Sequence, residues 1–273
     1  MTLPFLPDDL WQQLLPIFGK AWPNEAVVAI WPDEWRQLEN VAAEPMLSFS
    51  LGEADRIELL TRKPLALLHS HPNGRREPSD KDTLSQLAMN VPWGIVAIDA
   101  NPVTGNIYAV HYPECWGAGL PIPPLLGRQF LWGVRDCMTL AQDFYTLNGV
   151  HMPRIPRARD TSIYPKGHWG HDPFRTQPKN LGLKPVQRHE RRPGDLTIWM
   201  NGKGRYDHCA VYLGEGRYLT QSIDQASEIY VTDFEEKFIE RKNIEFLRPK
   251  KMKKDICCDI AQLEQVNPRP LSK

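Results

Sequence analysis

The sequence predicts two domains in series, an α/β domain followed by an α+β domain. Three observations predict this order. Apolar strand-like runs alternate with helical spacing through the first 116 residues. A Gly/Pro-rich stretch, Gly117-Ala118-Gly119-Leu120-Pro121-Ile122-Pro123-Pro124, reads as a semi-rigid linker. Beyond it, one strong amphipathic helix precedes a series of short strands. A length of 273 residues suits this division, given the usual domain size of about 100–200 residues. The expected boundaries are residues 1–116, a linker at 117–126, a second domain at 127–249 and a charged, poorly ordered tail at 250–273.

Leu10, Trp11, Leu14, Leu15 and Phe18 have the spacing of a first helix. Residues 26–31, 65–69, 94–98 and 106–110 read as strands. Residues 80–90 read as a helix with Leu84, Leu87 and Ala88 facing inward. In the second half the helix runs from Cys137, with Met138, Leu140, Ala141, Phe144 and Tyr145 as its buried stripe. Strands follow at 195–199 and 208–213, and a Gly214-Glu215-Gly216 turn leads into Arg217-Tyr218-Leu219. Residues 228–231 and 245–247 are weaker strand expectations.

Composition narrows the function classes. Basic and acidic residues number 33 each, so no general attraction to nucleic acid is expected. The N-terminus lacks the pattern of a signal peptide, and no window approaches the roughly 20 apolar residues of a membrane span; synthesis in a cytoplasm is expected. Proline, at 25 residues, implies many fixed turns. Five cysteines in unrelated contexts do not form a disulfide framework.

Two clusters carry chemistry. His69-Ser70-His71-Pro72 precedes Ser79-Asp80-Lys81-Asp82. Two imidazoles and a carboxylate suit one zinc ion with water as its fourth ligand, with His69, His71 and Asp82 as ligands. The two rings are expected to converge where Pro72 makes the chain leave ideal pleating. Ser79-x-x-Asp82 also fits a helix capping box, which needs no metal. Downstream, Cys137 follows Asp136 at a helix start, where unpaired N–H groups and the helix dipole favour thiolate. His208, heading an apolar strand, is placed to activate it; the plainer alternative is a small buried cysteine. Cys209 reads as such a buried residue. His168-Trp169-Gly170-His171-Asp172 reads as a surface loop, and Trp132 and Trp169 as groove residues.

The first cluster resembles the signature of the JAMM/MPN metalloproteases. In that family an upstream glutamate is the general base, and Pro23-Asn24-Glu25-Ala26-Val27-Val28 stands at its place. The resemblance implies a cytidine-deaminase-like sandwich, with Glu25 as base and Ser79 donating to the tetrahedral intermediate. The second cluster is similar to NlpC/P60 cysteine peptidases, which are papain-like. The similarity lies in Gly133-Val134-Arg135-Asp136-Cys137-Met138-Thr139-Leu140, Arg192-Pro193-Gly194-Asp195-Leu196 and Asp207-His208-Cys209-Ala210-Val211-Tyr212-Leu213-Gly214. It implies Cys137 as nucleophile, His208 as its base and a third residue that orients the imidazole. That position falls at Thr220, a poor imidazole partner, so Gln221 beside it is preferred if the strand is bulged.

The whole order resembles the tail tip assembly protein K family of lambda-like siphophages. This implies a virion tail tip component, made in the host cytoplasm, that cleaves peptidoglycan stem peptides and contacts other tail tip proteins. A structural module with inert sites, or a protease processing a tail protein during assembly, are the alternatives.

Overall fold

Trp11, Leu14 and Phe18, three and four residues apart, form the buried face of α1 (Asp8–Ala21). They cover one face of a sheet at Val28, Ile30, Leu68, Val96 and Ile98. These are alternate residues of β1 (Val27–Ile30), β3 (Ala66–His71) and β4 (Trp93–Ala100), so the opposite face carries His69 and His71. The sheet order is β2 (Trp35–Leu38), β1, β3, β4, β5 (Ile107–Val110), with β6 (Glu114–Trp116) also pairing β4. Strands β3 and β4 are parallel and are joined through α3 (Asp80–Met89), whereas β1 is antiparallel to both neighbours. This is a computed structural model, and it describes residues 3–154, 181–200, 204, 206–232 and 244–265. The chain divides into two compact units, Met1–Leu120 and Pro121–Lys273.

Three expectations for the first unit need correction. Helix α3 turns Asp82 and Gln86 inward, whereas Leu84 is 49% exposed. Asp82 faces the histidines and Gln86 Nε2 donates to the Val91 carbonyl at 3.1 Å. These residues lie one turn apart, so satisfying both fixes the helix face and leaves Leu84 outside. Second, β3 keeps regular pairing with β4 through His71. Alternation along a strand already places residues two apart on one face, so Pro72 is not needed to bring the rings together. Third, α2 (Glu53–Arg62) and β2 were not expected from the sequence. Helix α2 buries only Leu59 and is laced at its surface by Arg36–Asp55, Arg36–Glu58 and Arg62–Glu58 ion pairs, so it lacks the apolar period of a helix.

In the second unit a six-stranded antiparallel sheet runs β11 (Glu228–Val231), β10 (Arg217–Thr220), β9 (Tyr206–Gly214), β8 (Leu196–Met200), β12 (Ile244–Pro249), β7 (Leu183–Val186). Helix α4 (Cys137–Leu147) lays Met138, Ala141, Phe144 and Tyr145 against Leu196, Ile198, Cys209, Val211, Leu213 and Leu219. The β9–β10 hairpin turns at Glu215 (φ 53°) and Gly216 (φ 68°). Two successive positive φ values suit a two-residue turn and explain the glycine.

The tail expectation also fails as far as Gln265. Met252, Ile260 and Leu263 join the α4 core, the latter two from α5 (Ile260–Gln265). Asn148 clasps Cys257 from both sides, donating through Nδ2 to its carbonyl at 3.1 Å and accepting its N–H at 2.8 Å. The charged composition hides these few apolar anchors. Residues 266–273 and the 168–172 loop expectation, with Trp169, lie outside the described residues.

Candidate active sites

Asp136 shapes the start of α4. Its carboxylate accepts from the N–H groups of Met138 (3.1 Å) and Thr139 (3.0 Å) and from Gly133 N–H at 2.8 Å. Thr139 Oγ1 accepts from Asp136 N–H at 2.8 Å, completing a capping box. The residue immediately inside this cap is Cys137, so its sulfur stands at the positive end of the helix.

The surroundings of Cys137 hold its thiol well below the ordinary range: the neighbouring Cys209 thiol contributes most, burial opposes, and His208 adds to the lowering. His208 is displaced the other way. Burial lowers its basicity, but the bond and charge of Cys137, with Asp207, outweigh burial and raise it. The direction of both shifts favours a thiolate–imidazolium pair.

His208 Nε2 lies 2.7 Å from Thr220 Oγ1, which leaves Nδ1 for the thiol. This corrects the preference for Gln221. Thr220 pairs with Ala210 across the hairpin, and side chains of paired residues share a face; Ala210 in turn lies two residues from His208. Gln221 points elsewhere, its Nε2 donating to the Arg128 carbonyl at 2.8 Å. Arg128 is itself buried and fixed by Asp143 at 2.7 Å and by the carbonyls of Pro124 (2.5 Å) and Pro123 (2.6 Å). Gln221 therefore ties the chain ahead of α4 to the sheet. Trp199 packs edge-on against His208 at 5.5 Å between ring centroids.

Asp195 is structural. Arg248 grips it with Nε and Nη2 at 2.7 and 2.8 Å, and Arg192 N–H donates at 2.9 Å. A Cβ at Gly194 would come within 2.6 Å of Ile256, at φ 90°, so the Pro-Gly-Asp sequence serves this corner.

In the first unit His69, His71 and Asp82 each present a ligand atom, all within 4.8 Å of one another. The Nε2 atoms of the two histidines are 3.2 Å apart. Asp82 Oδ1 lies 3.4 Å from His69 Nε2, and Oδ2 lies 3.5 Å from His71 Nε2. Four ligands arranged tetrahedrally at about 2.0–2.1 Å have edges of about 3.3–3.4 Å, and each of these three separations is close to that length, with Asp82 turning a different oxygen to each histidine. Protonation fits as well. Burial lowers the basicity of His69, against the pull of Asp82. Burial would raise Asp82, but His69 first, then His71 and Ser79, hold it well below the usual carboxylate range. Neutral imidazole beside carboxylate is a zinc donor set.

The surroundings fix these donors. His71 Nδ1 lies 3.1 Å from the Arg75 carbonyl, an outer-shell contact that orients the ring. Phe49, Trp93 and Trp116 wall His69 at centroid distances of 5.0, 5.8 and 6.4 Å. Ser79 Oγ donates to Asp82 Oδ2 at 2.6 Å and accepts from Asp82 N–H at 3.1 Å. Without substrate the hydroxyl proton rests on Asp82, so Ser79 also positions this carboxylate. Glu25 is buried two residues before β1, and the Val27–His69 register continued outward sets it across from His71. Burial raises its pKa to about 7, with His71 pulling down and Asp82 pushing up.

Comparison with known proteins bears on the thiol unit. Residues 127–248 match the NlpC/P60 family. Tail tip assembly protein K of Escherichia phage lambda is 32% identical over 166 residues, 60% of this chain and 72% of that protein. The chain belongs to the tail tip assembly protein K family. In this protein K relative, the second unit is a papain-like NlpC/P60 domain, the fold of a peptidase-type hydrolase. Murein DD-endopeptidase MepH of Escherichia coli K12 is 26% identical over 123 residues, 42% of this chain, and the match spans 39% of MepH. A solved NlpC/P60 family protein from Bacillus cereus aligns over 85% of this chain and 65% of its own at 15% identity. Its TM-score is 0.31, too low to bear on the arrangement. No helix among the described residues is long and apolar enough to cross a membrane.

Sequence reasoning set the third position at Thr220 but preferred Gln221, and it missed Arg128 behind Gln221. Strand alternation counted from the Glu215-Gly216 turn decides for Thr220.

Proposed function

We propose that this chain is a tail tip component of a long-tailed phage whose NlpC/P60 unit cleaves peptidoglycan stem peptides as the genome enters the host. The observation that carries this reading is the alignment of Cys137, His208 and Thr220 at the start of α4. The name of MepH, a murein endopeptidase, supports the substrate class; bonds next to D-glutamyl or diaminopimelate residues are the proposed targets.

Cys137 Sγ attacks the scissile carbonyl while its proton rests on His208 Nδ1. Asp136 claims the Met138 and Thr139 N–H groups, so the Cys137 N–H is the donor that this helix start offers to the oxyanion. His208 passes its proton to the leaving amine as the thioester forms, then draws one from the water that hydrolyses it. The Nε2–H donated to Thr220 keeps the ring in the tautomer that presents Nδ1 to sulfur.

The test is muropeptide release from purified sacculi, read by mass spectrometry. Release by the native protein and none by Cys137→Ala is expected. No release by the native protein would favour a structural tail module, and release by Cys137→Ala would remove Cys137 as nucleophile.

A second reading rests on the His69–His71–Asp82 triangle: a JAMM/MPN-type zinc peptidase acting on peptide or isopeptide bonds, including those of a tail protein during assembly. Zinc held there would supply Lewis acidity and an acidified water. His69 and His71 would contribute Nε2 and Asp82 an oxygen, with Ser79 and the Arg75 carbonyl fixing Asp82 and His71. Glu25, with a pKa near neutrality, is suited to take and return a proton. Elemental analysis checks this: His71→Ala should fall well below one equivalent of zinc, and unchanged stoichiometry would overturn the ligand assignment.

A further inference from the structure

We propose that Arg128 is a positioning residue for the thiol site, a buried strut that fixes the nucleophile helix α4 against the strand pair carrying Thr220. This rests on the reading of Cys137 as nucleophile. Arg128 stands ahead of α4 in the chain, and its side chain and backbone reach the two halves of the site.

The side chain reaches the helix. Nη1 donates to Asp143 Oδ2 at 2.7 Å, and both residues are buried. Asp143 lies six residues beyond Cys137 on α4, about 9 Å along the axis at about 1.5 Å per residue. Arg154 lies 3.7 Å from the other Asp143 oxygen, but its side chain is 38% exposed, so Arg128 is the buried partner. Its Nε and Nη2 hold the carbonyls of Pro124 and Pro123 at 2.5 and 2.6 Å. Three separate acceptors, each met by a different nitrogen, suit the guanidinium fork and not the single ammonium of lysine.

The backbone reaches the sheet. Arg128 N–H donates to Ser227 Oγ at 2.9 Å, and Ser227 N–H donates to the Arg128 carbonyl at 3.0 Å. Gly127 N–H donates to the Ser227 carbonyl at 2.8 Å. Ser227 directly precedes β11, whose first residue, Glu228, pairs with Thr220. Thr220 in turn holds His208. Gln221 adds its own bond to the Arg128 carbonyl, but the bonds to Ser227 stand without it, so loss of Gln221 alone leaves the strut attached.

A buried ion pair is a costly way to hold a fold, because both charges leave water and an apolar pair of similar volume often does as well or better. Direction is what the pair adds. The apolar stripe that seats α4 on the sheet gains from burial without regard to direction, whereas short charge-assisted bonds specify where the helix stands. Catalysis is sensitive on this scale, since misplacement by about 1 Å can cost about 100-fold in rate.

The test separates position from stability and reads Cys137 without a peptidase assay. Iodoacetamide alkylation is followed against pH in the full chain, with mass spectrometry assigning the label and Cys137→Ala as the blank. Thermal unfolding is measured on the same samples. Arg128→Met strands Asp143 in the core, so it should melt lower and move the thiolate midpoint to higher pH as Cys137 and His208 separate. Combining Arg128→Met with Asp143→Leu removes both charges, and melting should return toward the native temperature. The midpoint should stay displaced, with alkylation below the native midpoint about tenfold slower for each unit of displacement. Asp143→Asn replaces the double variant if circular dichroism shows that the latter misfolds, and should displace the midpoint in the same sense. A midpoint restored together with the melting temperature overturns the proposal, because it assigns Arg128 to stability alone. So does an unmoved midpoint in Asp143→Asn. A native protein with its midpoint in the ordinary thiol range overturns the nucleophile reading and the proposal with it. A displaced midpoint in the double variant of a protein that digests no sacculi leaves the proposal standing and sinks only the substrate.

Discussion

Thr220 holds His208, and Gln221 does not, because residues paired across an antiparallel hairpin share a face and their neighbours take the other. A threonine hydroxyl is neutral, so it orients the ring and accepts its Nε2–H without the charge that a carboxylate would bring. Thr220→Val should lower kcat/KM about 10–150-fold, since a hydrogen bond to a charged group is worth about 1.5–3 kcal/mol. It should also change the pH profile. Activity needs Cys137 deprotonated and His208 protonated, so it rises through the lowered Cys137 pKa and falls through the raised His208 pKa. Removing the acceptor destabilises the imidazolium, so the alkaline limb should move to lower pH while the acid limb stays. Gln221→Leu should instead lower thermal stability and leave both limbs in place. An alkaline limb unmoved in Thr220→Val, or moved in Gln221→Leu, would reverse this assignment. At this scale the sequence shows which residue types matter, as with Cys137, His208, His69, His71 and Asp82. It does not show facing, and Thr220 and Arg128 act through facing.

Element by element, the metal triangle is assembled by two regular features. Strand β3 delivers both histidines to one face by alternation, and the capping box of α3 delivers Asp82. The plain capping reading of Ser79-x-x-Asp82 holds, and the same geometry leaves the Asp82 oxygens where the proposed metal reading needs them. Asp82 accepts the Ser79 N–H at 2.8 Å and hydroxyl at 2.6 Å while its oxygens face His69 and His71. Ser79→Ala therefore tests two things at once. Loss of the cap should cost about 1 kcal/mol in unfolding free energy. Loss of the oriented Asp82 should weaken zinc binding about 10–100-fold in competition with a chelator, as expected for an outer-shell partner. Full cap loss with unaltered zinc affinity would confine Ser79 to the helix. Helix α3 also shows why the sequence misleads about facing. Its leucine pattern points one way, but the buried polar needs of Asp82 and Gln86 point another, and leaving those polar groups unpaired in a core would cost more than exposing one leucine.

Over the whole chain, each unit carries its own sheet, its own covering helix and its own apolar core. The domain order and both sheet classes were legible because strand runs and helix periods differ sharply on the two sides of the Gly/Pro stretch. The extent of the second unit was not, because Met252, Ile260 and Leu263 are sparse among charged residues. That difference yields a truncation experiment. A fragment of residues 121–273 should fold by itself, with cooperative thermal unfolding and the alkylation profile of Cys137 in the full chain. Ending the fragment at residue 249 should fail differently. It removes the partners of Asn148 and three buried apolar side chains at the end of α4. Each deleted core side chain costs about 2–5 kcal/mol, comparable in sum with the 5–15 kcal/mol that typically holds a domain together. The shorter fragment should therefore unfold at markedly lower temperature or without cooperativity. Equal melting of the two fragments would show that the terminal segment is dispensable and that the unit ends with β12.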